Sequence, residues 1–132
     1  MQLTLYLLST YISIFDWKYH RITNSSLLIS VVVLTAVSRL TDSEVHIVGS
    51  TLILLISLVG YKYGLGAGDV KLIALLSNFF LPNTSAGLID LVAGFTMASI
   101  FLTAMHRSQG RSLADPIALA PAICAAFIWC AR

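Results

Sequence analysis

The chain has 132 residues, of which 58% are hydrophobic and 11% charged, with a formal net charge of +2 and a mean hydropathy of +0.88. An ordinary soluble domain carries about 25% charged residues, and this length allows one domain, 1–132, not two. The composition excludes a secreted disulfide scaffold and a disordered chain, and eight scattered bases give no basic footprint for nucleic acid.

Six stretches contain no Lys, Arg, Asp or Glu: 1–15, 22–38, 45–61, 72–89, 91–106 and 116–131. Each falls a little short of the ~20 apolar residues that span a bilayer, but flanking Lys and Arg can snorkel to the interface. Runs such as Val31-Val32-Val33-Leu34 leave no wet helix face, so a soluble bundle would have almost no polar surface. The fold expected is therefore all-α, a polytopic integral membrane helical bundle of about six transmembrane segments in the lipid bilayer.

Segment one covers about 2–16 and is retained, because it lacks a basic n-region and ends in Asp16-Trp17-Lys18. Segment two follows Asn24-Ser25-Ser26 and runs to about 40. Thr41-Asp42-Ser43-Glu44 matches a capping box before segment three, about 45–63. Gly64-Leu65-Gly66-Ala67-Gly68 breaks the pattern. Segment four starts at Asp69 and stops near Leu81, ahead of Pro82-Asn83. Segment five covers about 85–106, and segment six starts near Leu113 and contains Pro116 and Pro121. Cys124 and Cys130, six apart in that segment, would lie ~9 Å from each other in a helix, too far for a disulfide.

The bases orient the segments. Lys18, Arg21, Lys62, Lys71, Arg107 and Arg111 flank the loops after segments one, three and five, against Arg39 and Arg132 on the other side. The positive-inside rule then places loops 16–24, 62–71 and 106–115 in the cytoplasm and both termini outside. Asp16 and Asp69 fall at one depth, the cytoplasmic membrane face, each at the edge of an apolar segment where a carboxylate is expensive. Asp42 and Glu44 fall on the opposite side, as does His46, which separates it from His20 and His106 and argues against a three-histidine metal site. Asp90 lies near the outer face. Trp17, Tyr19, Tyr61 and Tyr63 read as an interfacial aromatic belt.

Locally, Gly66-Ala67-Gly68-Asp69 fits two readings. It is a glycine-rich helix start with Asp69 as N-cap, or a place where glycines, free to adopt φ > 0, let an extended peptide approach a carboxylate. Asp16 alone reads as an interfacial partner of Lys18 or Arg21. Two carboxylates at one depth add a third possibility. Close together they cannot both ionise easily, so one serves as base on water and the other as acid. That chemistry needs no metal and no cofactor.

These residues resemble a known family. Asp16-x4-Arg21-Ile22-x-Asn24 is similar to the first motif of the type IV prepilin peptidases, and Gly66-Ala67-Gly68-Asp69-Val70-Lys71-Leu72 to their second, the GxGD motif. Pro116 to Pro121 resembles the proline-bearing last helix. The resemblance covers nearly the whole chain. It implies an aspartic endopeptidase of the bacterial inner membrane that removes the short basic leader from prepilins and pseudopilins. It assigns Asp16 and Asp69 as the catalytic pair, Gly66 and Gly68 to a substrate-facing turn, and Arg21, Asn24 and Lys71 to supporting places. Thr23 stands where the family usually has proline, which implies a looser turn. The chain resembles the short peptidase-only forms of tight-adherence (Flp-type) pilus systems, without the CxxC-bearing domain of larger members or their N-methylation. Alternatives are an archaeal-type preflagellin peptidase, a non-catalytic scaffold subunit of a pilus system, and, last, a small ion transporter.

Overall fold

The computed structural model describes residues 1–20, 22–41, 47–62, 65–82, 84–110, 112 and 117–131, the side chains of residues 47, 48 and 52 excepted. Among the described residues every regular element is a helix: α1 (Gln2–Tyr19), α2 (Asn24–Leu40), α3 (Ile47–Lys62), α4 (Ala67–Phe80), α5 (Ser85–Ser108) and α6 (Ala120–Cys130). Their number and order match the six apolar stretches. The proposed capping box before segment three lies outside the described residues except for Thr41, which ends α2.

The ends follow from local chemistry. α1 closes at His20, whose left-handed backbone (φ 48°, ψ 35°) directs its N–H to the Asp16 carbonyl at 2.8 Å. Thr23 and Thr84 open α2 and α5 by accepting the Ser26 and Gly87 amides at 3.2 and 3.1 Å. Thr23 also holds φ −76°, within the range a proline ring imposes. The turn expected to be loose without proline thus keeps the same φ, with a hydroxyl cap added.

Three starts differ from expectation: α2 begins at Asn24 behind Thr23, not after Asn24-Ser25-Ser26. α4 begins at Ala67 behind Gly66, so Asp69 is the third helical residue, not the N-cap. α6 begins at Ala120, well past Leu113; residues 117–119 are irregular and 113–116 lie outside the described residues. Pro121 explains the late start: proline is tolerated in the first turn, where its missing N–H breaks no helical bond, and resisted in the interior.

α4 and α6 form the centre. They pack on each other, α3 and α2 pack on α4, and α5 and α1 pack on α6, while α2 also touches α1. Leu5, Leu34, Leu72, Leu76, Ile123 and Phe127 knit the core across four helices. Three buried serines spend their hydroxyls on their own helix: Ser30 on Ser26 O, Ser57 on Ile53 O and Ser77 on Ile73 O. Ser50 instead ties α3 to α4 through the Asn78 side chain at 2.6 Å. Small side chains at these seams let helices approach closely. The free cysteines Cys124 and Cys130 are not bonded to each other.

The outward faces are apolar: Leu7, Ile14, Val32, Val59, Ile100 and Phe101 are all exposed. Among the described residues α5 is the one helix long and apolar enough to cross a bilayer, while α2, α6 and residues 49–62 are apolar but shorter. With 14 and 11 residues, α4 and α6 rise only ~21 and ~16 Å, against a hydrocarbon thickness of ~30 Å.

Candidate functional site

The turn between α1 and α2, the start of α4 and the start of α6 converge. Asp16, in the last turn of α1, is 5% exposed. Its Oδ2 accepts the Ala120 amide at 3.1 Å, a bond between residues 104 apart in sequence. Asp69 is half-buried in the first turn of α4, and its carboxylate reaches back to the Gly66 amide. A carboxylate at the third helical position commonly satisfies the N-cap amide in this way. Each carboxylate therefore sits at the N-terminus of a helix, where free amides and the helix dipole favour negative charge. The two are close enough for the charge of Asp16 to act on Asp69, and the His20 ring acts on Asp16.

Two contacts join the sequence motifs. Lys71 Nζ donates to Asn24 Oδ1 at 2.9 Å, linking α4 to the start of α2. A Cβ built on Gly68 would lie 2.9 Å from Ile22 Cβ, so the absence of a side chain lets α4 press against the α1–α2 turn. At Gly66 a Cβ would lie 2.8 Å from Asp69 Oδ2. Gly66 itself has φ −64° and Gly68 is helical, so close approach, not positive φ, requires these glycines. Arg21 lies outside the described residues.

Other candidates sit apart or take structural places. His106 is buried at the end of α5 with its Nε2 3.1 Å from the Ser112 carbonyl. It shares with His20 and Trp17 a crevice of about 20 Å³, room for about one water. His46, Asp42, Glu44 and Tyr63 lie outside the described residues. Trp17, Tyr19 and Tyr61 are exposed, with Lys18 Nζ 5.3 Å from the centre of the Tyr19 ring.

An apolar cleft of about 230 Å³ lies between α3 and α5, whose backbones do not closely approach among the described residues; Ile53, Ile56, Ile73, Leu91, Phe95 and Phe127 line it. Through Ile56, Ile73 and Phe95 it continues to a space bounded by Leu65 and Leu119, the neighbours of Gly66 and Ala120.

The one component that sequence reasoning missed is the Ala120 amide. Its signal is the residue before α6: Leu119, the N-cap, has no side-chain oxygen. A helix start without a local acceptor needs one from elsewhere.

A buried carboxylate and a half-buried one in mutual electrostatic range can share a proton. The ionised member can then take a proton from water while the protonated member gives one to a departing group. The chain matches the type IV leader peptidase family over residues 3–130 and belongs to that family. No curated protein and no solved structure matches it significantly.

Proposed function

We propose that this protein is an aspartic endopeptidase that cuts the short basic leader from type IV prepilins or pseudopilins at the cytoplasmic face of the bacterial inner membrane. Asp16 and Asp69 are its catalytic residues. One carboxylate activates water for attack on the scissile carbonyl, and the other protonates the leaving nitrogen as the tetrahedral intermediate collapses. Gly66 lies beside Asp69 with an exposed backbone, where an extended substrate segment can lie. Asn24 and Lys71 brace the two motifs, and Arg21 belongs to the first of them. The observation that carries this reading is the family match over residues 3–130, and the electrostatic influence of Asp16 on Asp69, 53 residues apart in sequence, supports it.

The protein is a multi-pass membrane bundle with both termini outside. Its apolar outer faces support this, as does α5, and thinning of the bilayer around the short central helices accommodates α4 and α6. The substrate is a transmembrane helix with its leader in the cytoplasm. Its apolar helix enters the cleft between α3 and α5, which continues to Leu65 and Leu119, the sequence neighbours of Gly66 and Ala120. A helical scissile bond is shielded by its own hydrogen bonds, so the substrate unwinds at the cut.

The test is co-expression with a candidate prepilin, read by the mobility shift on leader removal. Asp16→Asn and Asp69→Asn should each abolish the shift while the protein still accumulates in the membrane. Robust cleavage by either purified variant would sink the aspartic mechanism. No cleavage by the unaltered chain of any pilin or flagellin precursor would favour a scaffold role.

A further inference from the structure

The sequence motif around Pro121 has no part in the chemistry described above, yet α6 meets Asp16 there. Of the first three helical residues of α6, Pro121 has no N–H and Ala122 gives its own to the Leu119 carbonyl at 3.0 Å; Ile123, next in line, does the same at 3.1 Å. Ala120 alone has an amide that the helix does not use, and Asp16 Oδ2 receives it. We propose that the Ala120 amide is a positioning group that orients Asp16 for catalysis, and that Pro121 ensures that α6 presents this carboxylate with one amide and no more.

The proposal rests on the catalytic role of Asp16. Ala120 and Asp16 are both buried, at 0% and 5% exposure, so water does not readily replace the bond. A hydrogen bond to a charged group is worth about twice a neutral one. An aspartate side chain at the end of a helix has two rotatable bonds, and a single fixed donor on one oxygen selects its orientation. A second amide at position 121 would compete for the carboxylate and add to its stabilisation as an anion. The other groups that act on this end of Asp16 are Asp69 from α4, His20 from the end of α1 and Cys124 from α6. Lys71 stands nearby in the motif, tied to Asn24 of α2.

The experiment uses the full chain in proteoliposomes with a prepilin substrate that it cleaves. Replacing Ala120 by lactic acid turns the amide into an ester and removes the donor with almost no change of shape. We expect kcat to fall about tenfold with KM for the prepilin unchanged. The limb of the pH–rate profile that Asp16 governs should move about one unit to higher pH, because the charged form loses a donor. Pro121→Ala, which restores an N–H, should move the same limb to lower pH. The matched ester at Ala122 removes an amide bonded within the helix and should leave the profile where it was. An unmoved profile for the Ala120 ester overturns the proposal, as does an equal shift for the Ala122 ester. Cleavage by Asp16→Asn would instead remove the dyad itself, so the two failures are told apart.

Discussion

At the scale of single residues, Gly68 shows how the structure offers a motif glycine a packing role beside the one expected from sequence. Its glycine was expected to face substrate, yet a Cβ there meets Ile22. Gly68→Val should therefore push the α1–α2 turn away from α4 and separate the two carboxylates. We expect cleavage to fall at least tenfold, a loss of about 1.4 kcal/mol in transition-state binding, and Ile22→Ala in the same chain to recover part of it. Recovery is measured as cleavage rate in a double-mutant cycle; absence of any coupling between positions 22 and 68 would refute the packing explanation. The same pair of motifs predicts a bell-shaped pH dependence. Activity is lost on the acid side when both carboxylates are protonated and no base remains, and on the alkaline side when both ionise and no acid remains. A profile with one limb only would exclude a shared-proton pair. Asp16 and Asp69 were legible in the sequence because charge is rare at the edge of an apolar stretch. The Ala120 amide was not, because a backbone N–H has no letter of its own and its partner is 104 residues away.

At the scale of elements, charge-free stretches located all six helices, since a helix that meets apolar surroundings on every side needs no periodicity to be seen. Ends were harder. Segment two was expected to follow Asn24-Ser25-Ser26 as its capping residues, whereas α2 begins at Asn24 with Thr23 as its cap, so those three residues form its first turn. Segments four and six moved because glycine and proline act in opposite ways near a helix start: Gly66 serves as N-cap and lets the helix begin before Asp69, while Pro121 holds the start of α6 back. Thr23→Ala should cost about 1 kcal/mol of stability through the lost cap, and Thr23→Ser should retain most of it; thermal unfolding in detergent decides between them. The cleft between α3 and α5 makes a further prediction. Ile56→Trp, which fills it from an exposed position, should raise KM for intact prepilin severalfold with little change in kcat. An unchanged KM would mean that the substrate helix docks on another face.

At the scale of the whole molecule, the proposed orientation rests on the pattern of bases: the last turns of α1, α3 and α5 carry Lys18, Lys62 and Arg107. In a Cys124→Ser, Cys130→Ser background, a cysteine at Ser85 should react with an impermeant reagent added outside, and one at Ser108 only after permeabilisation. The reverse pattern would put the carboxylates on the wrong side for a cytoplasmic leader. The central place of α4 and α6 was not legible. Both are short, and shortness in a sequence reads as incompleteness, whereas here it accompanies burial by longer neighbours.

The bond from α6 to Asp16 also gives the protein a sense of time. A membrane chain is inserted from its N-terminus, so α1 is in place while α6 is still being made. Until α6 arrives, Asp16 lacks its donor and α4 lacks the helix it packs against. On the proposed function the nascent bundle cannot begin to cut before α6 is made, and α6 is what arms it. On the same reading, precursors inserting alongside a half-built copy escape stray hydrolysis. A chain truncated ahead of Ala120 should accumulate without cleaving, and a separately expressed segment carrying α6 should restore activity in the same membrane.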